Sequence, residues 1–533
     1  MPVLAGWLTG EHVPQEVIES VLTTMGEILS KHGGNPSRVV QPGMGLLTYA
    51  QPLHASQQQS EPPVLDWVPD RRTFIYRRPL SGAHGLYYIE DWPAPGNLLF
   101  ASEIQALLAA GVPRTLHLSA LPTLLHYGCI PAPWTAFKNI FLVPAGAILR
   151  WQHAKTLLNT STDFRLGESL ATTTYAEAQE RLDTLLQTAV KGSLPTHTQL
   201  ALLTNGSSSS LLTAALATQY TNERSNTPTR QSFSLLRPRR RTIPFSLVYY
   251  GYKKGVKEQT FIEQVAQELH RPLFTVDGVD DPAFTMETLV GTEAPYVDTR
   301  PIALHQLLHM TALKNGTRVA LTGVGASVLA MNTCPLSPDL FTHRPSISSL
   351  FTPEAIHAIQ QEEQWEDLLY TRKLLRHAGQ LDTEEQRRTY LNLHVWLPDY
   401  LVHPIHQLGM AESIAVRSPY LNSEVIDLLT RLPAIVEDGT PKSTLVTNLA
   451  ATYLPTLATS ESSLAFPMRS LHNAPDKTVN ELLEQTLSIE ALKETGIFNV
   501  QEVMALRQQE EASRELLLVF TTQLLYKMFD VSM

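Results

Sequence analysis

Two short segments carry residue types that can hold an anion. The first, LALLTNGSSSSLLTAAL, runs from Leu200 to Leu216. It reads as a strand, a tight turn at Gly206 and a helix whose start is rich in hydroxyls. Helix N-termini attract anions because their first N–H groups lack partners and the helix dipole is positive there. Ser207, Ser208 and Ser209 add hydroxyls, and Thr204 and Asn205 end the strand. A serine cap without any ligand fits the same residues equally well. The second segment, RVALTGVGASVLA, repeats the strand–turn–helix order, with Thr322, Gly323, Gly325 and Ser327 at the bend. Ligands of open α/β sheets bind outside the carboxyl ends of the strands, so two such turns in one sheet predict a nucleotide-sized cleft.

The elements needed to place these turns are legible around them. After Tyr175, helical and strand patterns alternate, as in a parallel sheet. Glu177–Lys191, Ser209–Gln219 and Phe261–Leu269 read as helices, and 199–203, 246–250 and 318–321 as strands. The strands at 199–203 and 318–321 should be neighbours, with both turns at one end. From about Pro353 the pattern is mainly helical. Before residue 155, short β-rich runs such as Arg72–Tyr76 and Gly85–Ile89 are bounded by Gly and Pro, with a helix near Val13–Leu29. A polar, Thr-rich stretch from about 152 to 174 reads as a linker. The predicted fold is α/β. Residues 1–155 form a layered β-sandwich with flanking helices, and residues 175–525 form a parallel-sheet domain with a helical C-terminal part.

In this order the motifs resemble the asparagine synthetase family, which includes β-lactam synthetase and lasso peptide cyclases. Thr204-Asn205-Gly206-Ser207-Ser208-Ser209 is similar to the family's pyrophosphate loop S-G-G-x-D-S. Thr322 to Leu329 is similar to S-G-E-G-[AG]-D-E-L. Between them, KEQTFIEQVAQEL resembles D-E-x-x-Y-A-x-x-V-A-x-x-L. Downstream, the segment ending AVRSPYLN resembles E-V-R-x-P-F-L-D, and Pro295 sits at the E-x-P turn. Upstream, FASEIQALL and RPLSGAHGLYY resemble the F-A-S-E-I-K-A-L-L and R-D-x-x-G-x-x-P-L-Y-Y segments. The resemblance implies an Ntn-type amidotransferase domain followed by an ATP-pyrophosphatase-type synthetase domain. It also implies Glu258 and Lys442 as substrate-side residues.

The departures fall on the chemistry. The family's Mg²⁺-binding carboxylates at the two turns are matched by Ser208, Val324, Ser327 and Val328. Mg²⁺ asks for hard oxygen ligands, usually including carboxylates, and valine offers none. Lys257, His406, Ala415 and Ser463 replace further family positions. Loss of one preorganised electrostatic contact costs about 10²–10³ in rate. The family's N-terminal cysteine nucleophile is also missing: the chain starts Met1-Pro2-Val3, and the glutamine-binding motif has no counterpart between Tyr49 and Trp67. The histidine pairs His305/His309 and His403/His406 read as core or surface residues, and no metal site is assigned.

The net charge of −10 disfavours a nucleic-acid partner. No run of eighteen apolar residues predicts a membrane span, and two cysteines, Cys129 and Cys334, make no disulfide framework. The cytoplasm is the expected location. A polar insertion over 220–243 contains Arg237, Arg239, Arg240 and Arg241. It reads as a solvated loop, or as a dock for an anionic partner or peptide. The expected function is that of a catalytically degenerate scaffold or partner in a natural-product or peptide-modification pathway. Two alternatives stand beside it. One is an ATP-dependent amide- or lactam-forming cyclase, which would need ATP and Mg²⁺. The other is a ligand-binding module without turnover. A protein or peptide partner and a homodimer both remain open.

Overall fold

In the computed structural model of the chain, the described residues are 3–10, 13–50, 64–160, 170, 172–195, 198–226, 245–251, 256–277, 282–331, 349–455, 477–509 and 514–532. The N-terminal half holds ten strands: β1 Val3–Leu8, β2 Asn35–Gln41, β3 Met44–Ala50, β4 Val64–Val68, β5 Thr73–Arg77, β6 Tyr87–Glu90, β7 Leu98–Ala101, β8 Phe141–Leu142, β9 Ala147–Gln152 and β10 Lys155–Thr160. They make two antiparallel sheets, in the orders β2-β3-β1-β7-β6-β8 and β10-β9-β5-β4. Leu4, Leu8 and Phe100 of the first sheet pack on Phe74, Tyr76 and Trp151 of the second, giving a sandwich core. The helix Gln15–Leu29 covers the outer face of the first sheet through Ile18, Leu22 and Met25.

The antiparallel layers reach further than expected. Lys155–Thr160, assigned to a linker by its polarity, is the edge strand β10 paired along β9. The hairpin turns at His153 and Ala154, both with positive φ (52° and 58°). Two-residue hairpin turns of this hand normally signal themselves with Asn or Gly, and neither residue does.

The second half is organised by a parallel sheet of β11 Leu200–Thr204, β12 Phe245–Gly251, β13 Leu273–Asp277, β14 Val319–Leu321 and β15 Ala415–Arg417. Its order is β13-β12-β11-β14-β15. Leu200-Ala-Leu-Leu-Thr204 is buried throughout, as a strand covered by helices on both faces must be. One face packs on the helices Tyr175–Ser193 and Ser208–Asn226, and the other on Arg300–Asn315 and His403–Ala411. The first of these helices starts at a capping box, Thr174 with Glu177. β14 pairs with β11 in parallel register, Leu200 opposite Val319 and Leu202 opposite Leu321. Both glycine turns therefore leave the same end of the sheet, as expected. The last helix, Arg514–Met528, returns to the N-terminal half, where Phe529 meets Phe137 edge-on at 5.6 Å. Among the described residues no helix is long and apolar enough to cross a membrane.

Candidate functional site at the paired glycine turns

The first turn satisfies itself. The Gly206 N–H donates to Thr204 Oγ1 at 2.9 Å and the Ser207 N–H to Asn205 Oδ1 at 3.2 Å. Thr204 Oγ1 and Ser210 Oγ are 2.7 Å apart, and Ser207 Oγ lies 3.2 Å from both Ser209 Oγ and Ser210 Oγ. Gly206 takes φ +82°, a conformation that favours glycine. Of the hydroxyls that the sequence offered to an anion, those of Ser207 and Ser209 are thus tied to neighbouring hydroxyls.

The second turn lies against the first. A Cβ placed on Gly323 would sit 2.5 Å from the backbone nitrogen of Ser210 and 2.7 Å from Ser209 Oγ, so only glycine fits where the two turns touch. Gly325 has φ +97° and faces Leu421. The segment after β15 braces the pair: Ser418 Oγ donates to the Val324 carbonyl at 2.5 Å, and the Tyr420 hydroxyl donates to the Ser209 carbonyl at 3.3 Å. Arg417 is buried and donates to the Ser193 carbonyl at 2.7 Å, and burial lowers its pKa to about 10.

The donor set does not suit a Mg²⁺-nucleotide. Mg²⁺ needs near-octahedral oxygen, normally with one or two carboxylates. Of the four matching positions, Ser208 is half-buried, Ser327 is exposed, Val324 is half-buried, and Val328, only 5% exposed, packs in the core. Among the described residues no three His, Cys, Asp or Glu side chains are placed to hold a metal ion.

Lys442 is buried, with 3% of the residue exposed, and its ammonium faces the end of the helix Ser423–Arg431. It donates to the carbonyls of Leu429 and Leu432 at 3.2 and 3.1 Å, with Glu385 3.6 Å away. A cation at a helix C-terminus meets the negative end of the dipole, which makes Lys442 a cap. Glu258 lies on the helix Val256–Glu268, but its side chain is outside the described residues. Arg237, Arg239, Arg240, Arg241, Pro2 and Ser463 are also outside them.

A family model described as Asparagine synthase matches residues 181–527, well over half of the chain. The chain belongs to the asparagine synthase family. A second model, the Glutamine amidotransferase domain, matches residues 67–162. No curated protein matches the chain. In this asparagine synthase family member, the N-terminal match begins after β1–β3. β1 runs through the middle of the first sheet, paired to β3 and β7.

What sequence reading missed is the seam between the halves. Arg78 is fully buried; it donates to the Gly82 carbonyl from Nε (3.2 Å) and Nη2 (2.5 Å), and to the Val143 carbonyl from Nη1 (2.8 Å). The carboxyl of Asp399 lies 3.7 Å away and accepts the Ala132 N–H at 2.8 Å. Asp399 belongs to a wide π-helical segment, Asn392–Val402. Tyr87 joins His403 Nε2 (2.8 Å) and the Gln407 amide (2.7 Å) across the same seam. Burial pushes His403 well down and His406 down to about 4, so both are neutral packing residues. His305 and His309 both reach Glu412, at 3.0 and 3.2 Å.

Proposed function

We propose that this asparagine synthase family protein no longer forms amide bonds and works by binding, as a non-catalytic scaffold or partner in a biosynthetic pathway. One observation carries this reading: the two glycine turns keep their backbone contact, while the side chains at the contact are serine and valine. The turn backbone persists because Gly323 must fit against Ser210 whatever the chemistry. ATP affinity is then expected to be weak and unchanged by Mg²⁺. Titrating ATP into the protein with and without Mg²⁺ checks this, and Ser208→Asp combined with Ser327→Asp should make binding Mg²⁺-dependent. Tight, Mg²⁺-dependent binding by the unmodified chain would reveal a rebuilt metal site and favour the cyclase alternative.

The same reading extends to the N-terminal half. The family's glutamine-binding motif has no counterpart between Tyr49 and Trp67. Incubation with glutamine should release no glutamate above blank. Sustained glutamate release by the purified chain would refute it.

A further inference from the structure

A cavity of about 190 Å³ lies between the two halves. Its wall is largely apolar, with Ile104, Leu124, Trp134 and Leu142 from the N-terminal half and Leu304 and Ile405 from the other. Val324 of the second glycine turn is part of the same wall, so the cavity adjoins a lost carboxylate position. An apolar cavity of about 150 Å³ already accepts a benzene ring and stays dry.

Into this wall the chain sets Glu293. Its side chain is buried, and its backbone is held at φ +52°. Non-glycine residues kept in that region gather at functional sites, where the surrounding structure imposes the strain. The Glu293 carboxyl accepts the N–H groups of Ile104 (2.8 Å) and Gln105 (2.7 Å). Among the described residues no Lys, Arg or His lies within ion-pair distance of it. The charged groups acting on it, Glu103 and Lys31, are paired with each other at 3.0 Å. Burial, reinforced by Glu103, pushes the Glu293 carboxyl up to about 8. Asp399, a second carboxyl of the wall, is held up at about 6 by burial, against the pull of Arg78.

A buried carboxyl without a cation is stabilised by whatever brings one. An ammonium group would form a charge-assisted hydrogen bond with it. Among the described residues the one guanidinium of the wall, Arg300, is already paired with Asp298 at 2.6 Å, so an anionic ligand would meet Glu293 and Asp399 as like charges, and a neutral one would leave Glu293 in its protonated form. We infer that the cavity between the halves is a binding site for a small organic amine with an apolar, ring-sized body, its ammonium received by Glu293. This deepens the non-catalytic reading by naming a ligand class, but it needs no nucleotide, so the two stand or fall by different measurements.

Phenethylamine is a suitable probe, compared with 2-phenylethanol and 3-phenylpropionate in calorimetric titrations of the full chain. The amine should bind saturably, and the alcohol and the acid at least about tenfold more weakly, the effect of one charge-assisted hydrogen bond. Cys129 also lines the cavity and is buried. Saturating amine should therefore slow its alkylation by iodoacetamide, read on the Cys129 peptide by mass spectrometry. Glu293→Gln should erase the advantage of the amine over the alcohol. Should that variant fail to fold, the ranking and the Cys129 protection in the unmodified chain decide. Absence of saturable amine binding, equal binding of the three probes, or unchanged Cys129 alkylation under saturating amine would each overturn the inference.

Discussion

Arg78→Ala should lower the thermal midpoint of the full chain by on the order of 10 °C. The side chain is 0% exposed and serves both halves at once. Its guanidinium fixes the turn at Gly82 and the Val143 carbonyl within the N-terminal half, and it is the cation beside Asp399 of the other half. Alanine leaves a buried carboxyl without its cation and two carbonyls without donors. Removing one partner of a buried ion pair costs about 3–5 kcal/mol. In domains of this size each kcal/mol moves the midpoint by roughly 2–4 °C. Gly82 concentrates the effect at the seam: it has φ +81°, and a Cβ there would lie 2.5 Å from Pro398 Cα, one residue from Asp399. Arg78→Lys keeps the charge but has no planar fork to reach the Gly82 and Val143 carbonyls together, so it should fall between the two. Thermal melts of the three proteins check this ordering. An unchanged midpoint for the alanine variant would mean that the seam does not hold the halves together.

The architecture was legible where local pattern and global fold agree. A continuous apolar run at Leu200–Leu203, a glycine and a hydroxyl-rich helix start dictate strand, turn and helix one after another, and the structure follows them. Gly323 was also readable as special, although its reason is tertiary: the space is filled by Ser209 and Ser210, far away in sequence. The hairpin at His153-Ala154 was not readable, because the turn uses left-handed residues of the wrong type and β10 is polar enough to pass for linker. Lys442 was ambiguous in the sequence for another reason. A lysine following a helix looks alike whether it caps that helix or faces a substrate, and only the carbonyls of Leu429 and Leu432 distinguish the two.

The seam was the largest omission. Arg78 with Tyr87, Glu293, and Asp399 with His403 come from three separate stretches, and although Arg78, Tyr87 and His403 lie in segments already singled out, nothing local brings the five together. Their burial is a product of the two halves packing together, which no local period reports. Glu293 came closest to a signal, two residues before Pro295 at a turn already singled out. Its left-handed backbone and its missing cation appear only in three dimensions.

Turnover of ATP tests the central claim most directly. Pyrophosphate departure places negative charge on oxygens that a divalent cation must offset, and the positions that would hold the cation carry Ser208, Val324, Ser327 and Val328. The loop hydroxyls meanwhile bond to one another at 2.7–3.2 Å. Purified full-length protein, incubated with ATP, Mg²⁺ and a panel of carboxylic acids and amines, should therefore release pyrophosphate no faster than a protein-free blank. The variant carrying Ser208→Asp and Ser327→Asp should stay at the same level, because Val324 remains at the turn. Sustained pyrophosphate release by the unmodified chain, stimulated by any one of those acids, would contradict the account and establish an active acyl-adenylating enzyme.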